Sequence, residues 1–268
     1  MKRNSLLFVY LILTGGIFNA CAKGSESEVI SKDIKIESFE KINVSSAIKV
    51  IYNQEAFTGT AKVEIRENLL PYLVVNNDGN CLDIYFKEIP RKYRNEKDYT
   101  IITVSSPVLT DIEITGASIF TSSQIIQSSP IDIEISGASQ FSCDNLEVVN
   151  CKAEITGASS FQTTNFKCGS TLKADISGAS SFIASFIENK ETNIDVSGAG
   201  NAKIGRFKGG DLNLEVSGAS SIKVDKVNAS DVLAHSYGAS NITLSGHCSQ
   251  LIADKDVSSA IETNGLKY

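Results

Sequence analysis

Residues 113–118 read EITGAS, and the phrase returns as EISGAS at 134–139, EITGAS at 154–159, DISGAS at 175–180, DVSGAG at 195–200, EVSGAS at 215–220 and HSYGAS at 235–240. Its glycines, Gly116, Gly137, Gly157, Gly178, Gly198, Gly218 and Gly238, are 21, 20, 21, 20, 20 and 20 residues apart. Degenerate copies flank the array at Asn43–Ile48 and Asp256–Ile261. A repeat of this length is one supersecondary unit that cannot bury its apolar face alone, so neighbouring copies must stack to make a shared core.

The columns of the repeat show which side chains point inward. Two residues before the glycine stand Ile114, Ile135, Ile155, Ile176, Val196 and Val216; four before it, Ile133, Ala153, Ala174, Ile194, Leu214 and Ala234. Six before it are Ile131, Cys151, Leu172, Leu212 and Val232, with Thr192 as the exception. That alternation is the period-two signature of a strand with one buried face. Four after the glycine come Phe120, Phe141, Phe161, Phe182, Ala202, Ile222 and Ile242; nine after it, Ile125, Leu146, Phe166, Ile187, Phe207 and Val227. Each unit therefore holds about three short strands, and stacking turns the phenylalanine column into an aromatic ladder. Glycine supplies the positive φ of a corner, and the alanine that always follows it is expected on the inside, where a larger side chain would clash. Left-handed β-helices run on hexapeptides, which 20–21 residues do not fit, and parallel crossovers are right-handed as a rule. The expected fold is all-β: a single-stranded β-solenoid, a right-handed β-helix with 20–21-residue coils.

Residues 31–110 belong to the same class with less regularity. Lys49–Tyr52, Ala61–Arg66, Leu82–Phe86 and Tyr99–Val104 read as strands, with turn signals at Asn77-Asp78-Gly79 and Pro107. Longer strands and a hairpin here would form the first coils and cover an open sheet edge. No linker separates this part from the regular array at 111–268, so 31–268 reads as one domain.

Composition narrows the chemistry. The chain has 268 residues, 25 Lys+Arg against 31 Asp+Glu, a net charge of −6, 2 His and no Trp. An acidic chain lacks the basic face of a nucleic-acid binder, and two histidines leave little for a His-based metal or triad site. At the N-terminus, Lys2 and Arg3 precede an apolar run from Leu6 to Phe18, a secretory signal too short to span a membrane. Phe18–Cys21 resembles a bacterial lipoprotein lipobox, with Phe18 and Asn19 in place of the usual aliphatic and small residues. Residues 1–20 are then a signal peptide, Cys21 carries lipid, and 21–30 form a polar tether that leaves a net charge near −8 on the mature chain.

Two surface features are candidate binding sites. Three residues before each glycine runs an acidic column, Glu113, Glu134, Glu154, Asp175, Asp195 and Glu215, interrupted by His235 and resumed by Asp256. Facing solvent beside a Ser/Thr column, it could hold Ca²⁺ or a cationic partner, or be balanced by Lys152, Lys173, Lys203 and Lys223; the nonapeptide pattern of Ca²⁺-binding β-rolls is absent. The second is a basic loop, Arg91, Lys92, Tyr93, Arg94 and Lys97, which with Tyr99 could dock an anionic glycan or headgroup. Neither implies a resident metal or cofactor. The five cysteines after Cys21 have no metal spacing and no obligatory pairing; Cys143 and Cys151 fall in inward columns, and Cys168 and Cys248 near a corner.

Iterated [DE]-[IV]-[ST]-G-A-S, preceded by Phe39-Glu40-Lys41-Ile42-Asn43-Val44-Ser45-Ser46-Ala47-Ile48-Lys49-Val50, resembles the "putative auto-transporter adhesin, head GIN domain" family over residues 36–260. The resemblance implies a β-solenoid of the bacterial envelope, of a kind abundant among Bacteroidota lipoproteins, and it carries no catalytic residues. Ala22–Glu28 is also similar to the acidic export tags of some such lipoproteins. The expected role is a non-catalytic outer-membrane lipoprotein, adhesin-like or glycan-binding, anchored by lipid and contacting a glycan or cell-surface protein. A periplasm-facing structural or regulatory protein stands second and a Ca²⁺-dependent polysaccharide lyase third. Lyase sites need unlike groups converging in a walled cleft, and minimal coils leave little room for walls.

Overall fold

Chains that alternate in hydropathy and turn at glycine every 20 residues bury their apolar side only by winding into a coil. A computed structural model describes residues 27–94 and 100–268 and shows that winding: parallel strands stacked into a β-solenoid of about eight turns. The signal peptide, Cys21 and part of the basic loop, including Lys97 and Tyr99, lie outside the described residues.

The regular array runs through β8 (Asp111–Ile114), β9 (Ile119–Ile126), β10 (Ile131–Ile135), β11 (Gln140–Val148), β12 (Cys151–Ile155) and β13 (Ser160–Ile176). It continues as β14 (Ser181–Val196), β15 (Asn201–Val216), β16 (Ser221–Ser236), β17 (Asn241–Lys255) and β18 (Ala260–Lys267). From β13 to β16 each coil is one bent strand of 16 or 17 residues rather than three short ones. Parallel pairing survives two of its three corners, and only the glycine corner interrupts it. At the other corners the alternation slips: Thr164 and Asn165 both face out, as do Gly169, Ser170 and Thr171 farther on, and burial resumes at Phe166 and Leu172.

The inward columns are buried as the alternation predicts. Phe120, Phe141, Phe161 and Phe182 stack with ring centroids 5.6, 4.8 and 4.9 Å apart, and Tyr52 extends the ladder at 5.8 Å with its hydroxyl donating to the Ser106 carbonyl at 2.7 Å. Such contacts add about 0.5–1.5 kcal/mol each beyond area burial. Thr192, the exception in its column, is fully buried and donates its hydroxyl to Asn189 Oδ1 at 2.6 Å. Cys143, Cys151, Cys168 and Cys248 are buried, Cys81 is half-buried, and none is bridged. Burial pushes the Cys143 thiol up to about 12, so it packs as a small apolar group.

The corner reverses one expectation. Ala117, Ala138, Ala158 and Ala179 face out, and the serine that follows them points in: Ser118, Ser139, Ser159 and Ser180 are buried. Inward positions lie two residues on either side of the glycine, which leaves the alanine outside. The serines form a ladder in which the backbone N–H of Ser118, Ser139 and Ser159 each donates to the hydroxyl one coil on, at 3.3 Å. Gly200 breaks it, and Ser220 Oγ is buried without a hydrogen-bond partner among the described residues.

The glycines themselves have φ between +64° and +80° and stack one above the next. A Cβ added at Gly178 would lie 2.5 Å from the Gly157 carbonyl oxygen. The Ala179 N–H donates to that oxygen at 2.7 Å, and Ala158, Ala199 and Ala219 repeat the bond on Gly137, Gly178 and Gly198.

At the N-terminal end the chain folds β1 (Val29–Lys35), β2 (Lys41–Val44), β3 (Lys49–Gln54), β4 (Thr60–Arg66), β5 (Leu73–Asp78), β6 (Cys81–Phe86) and β7 (Ile101–Ser106). The β5–β6 hairpin turns at Gly79, and β4 runs antiparallel to both β1 and β7, so reversed strands cover the sheet edge as expected. The order along the axis departs from chain order: the β2–β3 coil lies between β6–β7 on one side and β8–β9 on the other. The segment after β3 thus folds back over its own coil before the regular array begins.

The last corner ends differently. His235 pairs in register with Asp254, not with Asp256. The Asp256 carboxylate turns back and accepts the N–H groups of Gly238 (2.7 Å), Ser258 (3.0 Å) and Ser259 (2.9 Å). These bonds lower its pKa to about 2.

Two outcomes follow from the corners. Gly178→Ala should destabilise by about 2–4 kcal/mol in urea unfolding, from positive φ and the carbonyl clash together. Gly169→Ala, where an added Cβ meets nothing closer than 3.7 Å, should stay within about 0.5 kcal/mol; equal effects would refute the corner account. Asp256 is ionised more readily folded than unfolded, so its contribution is present above the ordinary aspartate range and is lost as pH falls through about 2. Hydrogen exchange at Ser258 and Ser259 should quicken over that interval in the wild type, and already be fast at neutral pH in Asp256→Asn.

Candidate functional site

The acidic column forms because residues three before the glycine share one register on one outer face. Glu113, Glu134, Glu154, Asp175, Asp195 and Glu215 pair rung to rung, about 4.8 Å apart. The column continues as Asn43 and Asp83 toward the N-terminal end and as His235 and Asp254 toward the other. Stacked carboxylates repel one another, so what neighbours each decides its character.

Lys152 reaches Glu154 at 2.5 Å and Lys173 reaches Asp175 at 3.0 Å, both from two residues earlier on the same face. Lys203 and Lys223 do not contribute. They pair with each other's rungs after the glycine corner, on another face, where Lys223 meets Asp225 at 2.9 Å. In the lysine column the next members are Asn193, Asn213, Leu233 and Ile252. Asp195 and Glu215 therefore stand beside amides rather than cations. Partial burial raises the Asp195 pKa, and the charges of Glu215 and Asp175 raise it further. Among the described residues no three carboxylate, histidine or cysteine side chains converge to hold a metal ion; rung-spaced carboxylates point in parallel.

A cavity of about 320 Å³ opens on this face, lined by Lys173, Asp175, Asn193, Asp195, Asn213, Glu215, Leu233 and His235. Asn213 Nδ2 donates to Asn193 Oδ1 at 2.7 Å, and Asn193 Nδ2 donates to Glu191 Oε1 at 3.0 Å. His235 ends the lining, and the Tyr237 ring lies beside it, 6.2 Å away and nearly parallel, with 3.3 Å between the Tyr237 hydroxyl and His235 Nδ1. In the sequence His235 reads only as an interruption of the acidic column, and Tyr237 carries no expectation. The available signal was that Leu233, His235 and Tyr237 all replace the usual outward residues of one repeat, while Val232 and Ala234 keep the inward ones.

A larger, shallower groove of about 800 Å³ runs along the third corner, from Gln127 and Ser128 to Ser230. Its rim carries Glu147, Lys167, Glu188 and Lys208 in register, alternating in sign, with Lys167–Glu147 at 3.7 Å and Lys208–Glu188 at 2.6 Å. Its floor is largely backbone, at Gly169, Gly209 and Gly210. Corners carry no hydrophobic period, which is why the repeat pattern did not announce it.

Of the basic loop, Arg91–Arg94 form a 3-10 turn in which the Lys92 ammonium sits 4.4 Å from the Tyr93 ring centroid and Arg94 Nε donates to the Ile89 carbonyl at 3.4 Å. Tyr93 is half-buried and packs against the core.

Crystal structures described as putative adhesins are similar in fold. One from Parabacteroides merdae has a TM-score of 0.66 at 16% identity, covering 88% of this chain and 96% of that one. One from Parabacteroides distasonis has a TM-score of 0.63 at 17% identity, covering 90% and 96%. A third, from Bacteroides fragilis, has a TM-score of 0.59 at 16% identity, covering 88% and 97%. No curated protein sequence matches. The sequence profile of "Putative auto-transporter adhesin, head GIN domain" matches residues 38–206, more than half of the chain, and the protein belongs to that family.

Proposed function

We propose that the protein is a cell-envelope lipoprotein, tethered through Cys21, whose solenoid is a non-catalytic, adhesin-like surface for binding glycans. The observation that carries this reading is repetition: the outer face presents similar polar side chains at every rung from Glu113 to Glu215. A catalytic centre gathers unlike groups at one point, whereas a ladder of like groups suits a ligand that is itself extended and repetitive. Membership of an adhesin-type family supports the same reading. Among the described residues no helix is long and apolar enough to cross a membrane, which agrees with attachment by lipid.

Labelled palmitate should be incorporated into the wild type and not into Cys21→Ser. Protease added to intact cells should cleave the protein; full protection would rule out an outward-facing adhesin. Incubation with acidic polysaccharides and Ca²⁺ should release no unsaturated products, and sustained release would replace this function with a lyase.

A further inference from the structure

The seventh corner repeat, HSYGAS, departs from its siblings inward at one place, where Ser236 replaces the buried Ile or Val and hydrogen-bonds Ser240 Oγ at 2.9 Å, and outward at three. Val232 and Ala234 remain buried in the inward columns, but the outward positions become Leu233, His235 and Tyr237, where other coils carry Asp, Lys or Asn at the first, Asp or Glu at the second, and Ser or Thr at the third. On the next rung the column of Leu233 continues as Ile252, which is 53% exposed. Outward apolar and aromatic side chains contribute nothing to the solenoid core, and a contiguous patch of them marks a contact surface.

The patch meets one end of the 320 Å³ cavity at Leu233 and His235, and the opposite lining is polar, with Lys173 there ion-paired to Asp175 at 3.0 Å. The Asn193–Asn213 bond orients both amides and leaves Asn213 Oδ1 without a protein partner among the described residues. Asp195 and Glu215 add acceptors with no lysine across from them. The site therefore combines several hydrogen-bond acceptors, one aromatic pair and one aliphatic wall. A polyanion would be repelled by the carboxylates. A metal ion would need convergent ligands, which parallel rungs do not provide. A neutral sugar ring matches both halves, since its hydroxyls donate to the acceptors and its C–H face lies against tyrosine or leucine.

We infer that this cavity, from Lys173 to His235 with Tyr237 beside its end, binds a neutral pyranose chain laid across the rungs. The inference rests on the glycan-binding reading above and adds a place and a ligand class. The corner groove is the rival location: it is larger, and Lys190 on its lining has no ion pair among the described residues.

The test is calorimetric binding of cello-, manno-, galacto- and xylo-oligosaccharides to the purified protein, beside oligogalacturonate as the anionic probe. At least one neutral probe should bind, and oligogalacturonate should not. Tyr237→Ala and Glu215→Gln should each weaken binding at least about tenfold, while Lys190→Glu in the corner groove should leave it unchanged. All three positions are on the outer surface, and far-ultraviolet circular dichroism checks that each variant keeps its fold. Binding that survives Tyr237→Ala and Glu215→Gln but is lost in Lys190→Glu overturns this inference and leaves the glycan function standing. Binding of oligogalacturonate alone does the same. No binding by any probe overturns the inference, and no retention on a wider glycan array overturns the proposed function as well.

Discussion

The solenoid depends on one contact: the stacking of glycine on glycine at the corner, close enough that the next coil's N–H bonds the glycine carbonyl. No side chain fits there, because an added Cβ at Gly157 or Gly178 would lie 2.5 Å from the carbonyl oxygen below. The corner consequently has no slack, and each coil must return to it after a nearly fixed length. The extra residue of the 157–178 coil is absorbed elsewhere, between Cys168 and Thr171, where the register slips by one. A rigid corner and a tolerant one together explain a period of 20 with occasional 21.

That fixed return also writes the surface. Once the register is locked, any outward position becomes a column with one side chain per rung, and its chemistry depends on what the neighbouring column supplies. Lys152 and Lys173 pair with Glu154 and Asp175, whereas Asn193 and Asn213 sit beside Asp195 and Glu215 and offer them no counter-charge. Beyond Glu113 and Glu134, which stand beside Asp111 and Asp132, the acidic ladder is thus two surfaces in sequence, an ion-paired stretch and an acceptor-rich one that ends at His235. The same locking gives the opposite result at the third corner, where Glu147, Lys167, Glu188 and Lys208 alternate and compensate one another.

The buried columns were legible because burial imposes period two, and even the Phe120–Phe182 stack could be foreseen from the four-after-glycine position. The corner was half legible. Glycine's role was plain, but alanine was placed inside and serine ignored, since small size alone does not reveal direction. Ser118, Ser139, Ser159 and Ser180 point inward because they lie two residues past the glycine, and their hydroxyls become tolerable there only by accepting N–H groups from the adjacent coil. The outward residues impose no such regularity, so Lys203 and Lys223 were grouped with a column that lies on another face, and Asp256 with a ladder whose rung is occupied by Asp254.

By itself the sequence determined the solenoid, its coil length, its inward side chains and the existence of an acidic column, because repetition and alternation are properties of the chain that any coiling must respect. Tertiary structure alone decided which residues become neighbours across rungs, how reversed strands cover the N-terminal end, which carboxylates keep a lysine, and where Leu233 and His235 end a cavity. Those relations depend on register between segments 20 residues apart or more, and register is fixed by corner geometry that no single repeat contains.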